Sequence, residues 1–274
     1  MSAGKLALVA GEGELPLEIL QAMKKSGGEL PEVYLFGADE APFRQLGINV
    51  QTVSNTLAIA MTLAKMRLRG VRRLMMAGRV PKKSIYDKKS FDLGAEEILS
   101  AVRERSDHEL LAGVVRYVEK FGIEVVGYQE VIPQLMAEKG HIAGPWPTED
   151  QLEDSRYGVK ILKALLPLSF GQSIVVSGRA VVAVEAMEGT DLTIKRAGAL
   201  GAGGILIKGI RADQDRRYDI PVVGVQTLRS LADAGLTGLF IEAENVLVLH
   251  RTQFSAEAQR LKISVMGVPS CQFS

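Results

Sequence analysis

Short apolar runs alternate along the chain with stretches whose apolar residues recur every three or four positions, the rhythm of a parallel sheet wound with helices. KLALVA at positions 5–10 is such a run. It ends in Gly11-Glu12-Gly13-Glu14-Leu15-Pro16, after which Leu17, Ile19, Leu20 and Met23 follow at roughly helical spacing. That order predicts strand, glycine loop and helix. Further short strands are predicted at 33–36, 48–53, 73–76 and 123–127, with helices over 58–68 and 106–121 between them. Around 140–150, GHIAGPWPTED, two prolines and several turn-forming residues break the rhythm and mark a candidate linker.

Beyond it the pattern changes. A helix is predicted over 151–166, and then 173–176 and 180–184 flank Ser177-Gly178-Arg179 as a hairpin. A helix near 192–200, a buried strand at 204–208 and a helix at 226–234 follow. A second hairpin is expected to run from 239–241 through a turn at Glu244-Asn245 to 246–249. The expectation is an α/β protein: an N-terminal Rossmann-like parallel-sheet domain over 1–139, and a mixed α/β C-terminal domain with antiparallel hairpins over 140–274.

Composition narrows the function classes. With 274 residues, 47% of them hydrophobic and 24% charged, the chain has ample material for a core. Lys+Arg 33 against Asp+Glu 32 leaves a net charge of +1, so no global basic field exists to draw nucleic acid, and any polyanion must be met locally. The single Cys271 excludes an internal disulfide and a Cys-rich zinc site. Glu12 and Glu14 interrupt the first apolar run early, unlike a signal peptide, and no apolar segment approaches the roughly 20 residues of a membrane span. A cytoplasmic protein is expected.

Candidate chemistry concentrates in two loops. AVEAMEGTDLTIKRAG at 183–198 places Glu185, Glu188 and Asp191 in one short stretch with Lys195 and Arg196 just beyond; QDRRYDIPVVG follows at 214–224, where Asp213, Asp215 and Asp219 alternate with Arg216 and Arg217. Carboxylates suit a hard divalent cation and the bases suit a phosphate. Thr190 or Asp191 can cap the helix that follows, which accounts for one polar residue but not for Glu185, Glu188 and a second acidic loop. Gly11-x-Gly13 offers backbone N–H groups to a phosphate or sugar nucleotide; Pro16 stands where a dinucleotide fingerprint has its third glycine, and a merely tight turn is the plain alternative. Gly78-Arg79 follows an apolar strand, where Arg79 either meets a phosphate or lies on the surface. Ser106-Asp107-His108-Glu109 reads first as a capping box through Ser106 and Glu109, leaving Asp107 and His108 as site candidates. Lys65 and Arg69 share a helical face beside methionines, a pattern that can rest on an anionic bilayer and is more often a solvated face.

At these residues the chain resembles the LpxI family of UDP-2,3-diacylglucosamine pyrophosphatases. AVEAMEGTD with KRAG, the strand ending in Lys208, and QDRRYDIPVVG are similar to that family's C-terminal signature, and AGEGELP, AGRV and the Asp107 helix to its N-terminal pattern. The resemblance implies two domains, a homodimer, Mg2+ or Mn2+, and hydrolysis of the UDP-linked diacylglucosamine pyrophosphate to UMP and 2,3-diacylglucosamine 1-phosphate in lipid A synthesis. Peripheral contact with the inner membrane is the expectation that the basic Lys65–Arg69 face adds. Asp219 is then the leading catalytic residue and Asp215 the next, with Glu188 and Asp191 on the metal. Gly11, Glu12, Gly13, Gly78, Arg79, Asp107, Gln172, Thr190, Arg196, Lys208 and Arg217 are left to bind substrate. One departure stands out: where the family pattern leads one to expect Asp-x-Gly-Gln, this chain has Ser169-Phe170-Gly171-Gln172. A non-catalytic sugar-nucleotide binding or regulatory protein, its carboxylates holding only a structural ion, is the alternative reading.

Overall fold

The computed structural model describes residues 4–53, 58–80, 92–101, 107–201, 203–211 and 214–272. It divides into two units, Met1–Ile132 and Pro133–Ser274.

In the first unit, strands β1 (Lys5–Ala10), β2 (Glu32–Leu35), β3 (Val50–Thr52), β4 (Val71–Ala77) and β5 (Glu124–Val125) form one sheet in the order β3-β2-β1-β4-β5. Every neighbouring pair is parallel. Helices α1 (Leu15–Lys25), α2 (Ala41–Gln45), α3 (Ile59–Leu68), α4 (Leu93–Ala101) and α5 (Asp107–Lys120) lie between the strands in sequence, and α6 (Tyr128–Val131) follows β5. Pro16 falls in the first turn of α1, where its missing N–H costs nothing, and Ile19, Leu20 and Met23 are buried at helical spacing. Because β2 and β4 lie on opposite sides of β1, the loops leaving β1 and β4 meet where the winding reverses, the position at which such sheets carry ligands.

The second unit holds a six-stranded sheet built from β6 (Gly140–Ala143), β7 (Ser173–Ser177), β8 (Ala180–Val184), β9 (Ile205–Lys208), β11 (Gly238–Glu242) and β13 (Ser264–Val268), ordered β6-β13-β11-β9-β7-β8. A separate parallel pair joins β10 (Val222–Val223) to β12 (Leu247–Val248). Helices α7 (Glu149–Leu165), α8 (Thr190–Ala199), α9 (Val225–Asp233) and α10 (Arg251–Leu261) cover the sheet. Val159 and Leu162 of α7 pack with Ile174, Val176, Ile205, Ile207 and Phe240. The alternate residues Val175, Leu206, Leu239 and Ile241 pack on the opposite face with Ile194, Leu228 and Phe254 of α8, α9 and α10. A sheet covered on both faces needs continuous apolar strands, which is why 205–207 and 238–241 carry no alternation.

Two sequence expectations change here. The stretch at 140–150 is not a linker, since its first residues form β6 and pair antiparallel with β13 inside the second unit. The segments at 239–241 and 246–249 do not form a hairpin: β11 pairs in parallel with β9 and β13, and β12 pairs with β10. Glu244, at φ 64°, turns the chain out of the sheet after β11. Helix α10 and strand β13 had no counterpart among the expectations. The hairpin of β7 and β8 is as expected. Gly178 and Arg179 both take positive φ (57° and 58°), the geometry a two-residue turn between twisted strands requires. The Asp154 carboxylate fastens that turn by accepting from the Gly178 N–H at 3.1 Å and the Arg179 N–H at 2.6 Å.

Candidate functional site

The register of the second sheet gathers its polar residues at one edge. The parallel strands β9 and β11 end in Lys208 and Glu242, while antiparallel β7 starts at Ser173, directly opposite Lys208. Val184 pairs with Ile174, so β8 delivers Glu185 to the same edge. Lys208 is only 7% exposed. Its Nζ donates to Thr190 Oγ1 (2.7 Å), and that hydroxyl donates to Glu185 Oε1 (3.0 Å). Glu185 Oε2 accepts from Ser173 Oγ (2.5 Å) and from the Gln172 N–H (3.3 Å). Burial pushes the Lys208 ammonium below its usual range, and the charges of Glu185 and Asp191 oppose that shift.

Around this chain stand the other residues of the 183–198 block. Arg196 donates to Glu188 Oε1 at 2.6 Å and to the Val184 carbonyl at 2.8 Å, and its guanidinium holds the Glu188 carboxyl below the usual range. Asp191 Oδ1 accepts from Ser230 Oγ at 3.4 Å. Neither Thr190 nor Asp191 caps α8 as expected. The N-cap is Gly189 at φ 82°, with no side-chain cap, so the Thr190 hydroxyl is used on Glu185 instead.

The loop after β9 carries the second block. Asp215 is gripped by Arg217 through Nε (3.0 Å), Nη2 (2.7 Å) and the backbone N–H (3.0 Å), and the guanidinium holds its carboxyl below the usual range. Burial, with the Asp215 charge beside it, pushes the Tyr218 phenol up to about 12. Asp219 is half-buried and closes the turn by donating its N–H to the Asp215 carbonyl at 3.1 Å. Buried Gln214 ties this loop to the first: its Nε2 donates to the Asp219 carbonyl (2.8 Å) and its Oε1 accepts from Gln172 Nε2 (3.1 Å). The structure therefore links Gln172, Thr190 and Lys208 in one hydrogen-bonded edge and joins Asp215, Arg217 and Asp219 to it through Gln214. Asp213 lies outside the described residues.

In the first unit the loops after β1 and β4 are joined to each other. Glu12 and Arg79 exchange backbone hydrogen bonds (2.7 and 2.9 Å), and the Gly11 N–H reaches the Ala77 carbonyl (2.8 Å). A Cβ on Gly11 would come within 2.5 Å of the Arg79 carbonyl oxygen, and one on Gly78, at φ 86°, within 2.7 Å of Gly11. Loop-to-loop approach thus suffices to explain these two glycines, whereas Gly13, at φ 108°, has open space beside it. Asp107 begins α5, but its side chain lies outside the described residues, as does Ser106 of the expected capping box.

Among the described residues no group of three or more His, Cys, Asp or Glu side chains stands close enough to hold a metal ion. Glu188, in the loop before α8, and Asp191, in the first turn of α8, carry hard oxygen donors, of which Glu188 Oε1 is engaged by Arg196 and Asp191 Oδ1 by Ser230. In general Mg2+ meets phosphates through one or two carboxylates, with substrate oxygens completing its shell. Sequence reasoning left out Gln214, Ser173 and Glu242 from the site. The last had a visible signal, since GLFIE, like ILIK, is an apolar strand ending in a single charge at its carboxyl end.

The fold and site define a two-unit α/β protein, one sheet doubly wound and parallel, the other mixed and bearing acids, bases and amides along its carboxyl edge. Residues 5–135 match the LpxI N-terminal domain and residues 138–266 the LpxI C-terminal domain, and the chain belongs to the LpxI family. It is similar to the UDP-2,3-diacylglucosamine pyrophosphatase LpxI of Caulobacter vibrioides (strain ATCC 19089 / CIP 103742 / CB 15), with 29% identity over 276 residues that take in 96% of this chain and 97% of that protein.

Proposed function

We propose that this protein is a cytoplasmic hydrolase that cleaves the pyrophosphate of UDP-2,3-diacylglucosamine, releasing UMP and 2,3-diacylglucosamine 1-phosphate for lipid A synthesis. The observation that carries the reading is the end-to-end match of both family domains, which falls on a chain whose acids and bases converge at one sheet edge. Water adds to the phosphorus on the sugar side, the bond from that phosphorus to the bridging oxygen breaks, and UMP departs with that oxygen. Asp219 takes the proton from the attacking water. Asp215 is less suited to that task, because Arg217 occupies its oxygens and keeps it ionised. Asp215 instead holds Arg217 toward the phosphates. Lys208, which is buried, places positive charge where negative charge grows, in surroundings that weaken it less than water does, and Arg196 adds charge from an exposed position beside Glu188. When bound, Mg2+ or Mn2+ at Glu188 and Asp191 offsets charge on the pyrophosphate.

Homodimer formation belongs to the same proposal and is tested by sedimentation. So does peripheral contact with the inner membrane, supported by exposed Met61 and Leu68 on or beside Lys65 of α3; Arg69, however, is turned to Glu32 at 2.7 Å. No helix among the described residues is long and apolar enough to cross a membrane. The test is turnover of UDP-2,3-diacylglucosamine with and without EDTA. UMP release that stops with chelator and returns with excess Mg2+ is expected. Full activity without divalent metal would contradict the metal role, and binding without turnover would leave the non-catalytic reading in its place.

A further inference from the structure

Glu242 is 3% exposed at the end of β11, a position where an apolar residue would continue the strand at no desolvation cost. Burial pushes its carboxyl up from the usual range, so the chain keeps an acid there against a penalty. Both oxygens are used. Oε2 accepts from the backbone N–H of Ile210 at 2.9 Å, and Oε1 accepts from Asn245 Nδ2 at 2.7 Å. Asn245 also donates to Ser270 Oγ (2.9 Å), whose hydroxyl donates to the Ala243 carbonyl (2.9 Å). The carboxylate is thus braced from the turn after β11 and from the segment after β13. What it grips is the first stretch of the loop that leaves β9 and carries Asp215, Arg217 and Asp219.

We infer that Glu242 is a positioning residue, which anchors the 209–219 loop at Ile210 while Gln214 holds its far end at the Asp219 carbonyl. Ile210, held by Glu242, and Gln214, held by Gln172, thus fix the Asp215–Asp219 turn to the sheet edge. The benefit to turnover rests on the hydrolase reading above; the anchoring itself does not.

Two substitutions separate anchoring from mere packing. Glu242→Gln retains an acceptor for the Ile210 N–H, whereas Glu242→Met fills the space and leaves that N–H buried without a partner. Glu242→Met should lower kcat by about thirtyfold or more with KM changed less than about threefold, and Glu242→Gln should stay within about fivefold of wild type. Hydrogen exchange should show the 209–219 amides of Glu242→Met opening about tenfold faster, with β9 and β11 amides unchanged. If Glu242→Met does not fold, Ser270→Ala, which removes only the outer brace, should give the same loop-confined acceleration at smaller size. Loop exchange equal to wild type, or equal kcat losses in the Gln and Met variants, would overturn the inference. Exchange is read without substrate, so it decides the anchor even if the wild-type protein released no UMP, a result that would sink the hydrolase reading alone.

Discussion

Asp215 and Asp219 share one loop and differ in surroundings, which under the proposed hydrolysis gives them different work. Arg217 claims both oxygens of Asp215 and lowers its pKa, so that carboxylate is a fixed anion. Asp219→Ala should therefore lower kcat/KM by about 10²- to 10⁴-fold, the usual worth of a general base, with thermal stability close to wild type because the residue is a half-buried loop position. Activity within about tenfold of wild type, a barrier change of only ~1.4 kcal/mol, would remove it from that role. Lys208 is the opposite case, a buried lysine whose burial lowers its pKa while the charges of Glu185 and Asp191 oppose that shift. Lys208→Met should cost roughly 10²- to 10³-fold in kcat, as loss of a preorganised charge-stabilising donor does. Steady-state kinetics on a folded Lys208→Met protein would contradict this if kcat were unchanged.

At the scale of elements, the glycine loops of the first unit and the helix pair of the second make separate predictions. Gly11→Ala forces a Cβ to 2.5 Å from the Arg79 backbone, where neither loop can yield without breaking the Glu12–Arg79 bridge. Destabilisation of about 1–3 kcal/mol is expected in denaturant titrations, and an unchanged midpoint would show that the loops do not depend on that contact. In the second unit, Glu257 joins α9 to α10 by accepting from Arg229 (2.8 Å) and Arg260 (2.7 Å), and these partners lower its pKa from 4.5 to about 2. A carboxyl whose pKa is depressed by folding adds stability that is fully present above 4.5 and is lost as pH falls toward 2. Glu257→Gln should accordingly lower the melting temperature at pH 7 and flatten its fall between pH 4.5 and 2. Parallel melting curves for variant and wild type across that window would contradict the assignment.

Across the whole molecule, the sequence disclosed what local rules control. The strands of the first unit with the glycine loop after β1, the hairpin turn at Ser177-Gly178-Arg179 and the two charged blocks at 183–198 and 214–224 were all legible. What was not legible depends on partners distant in sequence. Strand β11 looks like one arm of a hairpin because Glu244-Asn245 is turn-forming, and only its burial on both faces places it between β9 and β13. Gln214 and Glu242 look like ordinary polar residues until the fold brings Gln172 and Ile210 to them. The central claim, that the molecule hydrolyses a UDP-linked lipid pyrophosphate at the sugar-side phosphorus, is tested most directly by turnover of UDP-2,3-diacylglucosamine in 18O-labelled water. Release of UMP with the label in 2,3-diacylglucosamine 1-phosphate is the expected result. Label in UMP would contradict the point of attack, and no cleavage at all by the folded, Mg2+-supplied protein would contradict the function itself.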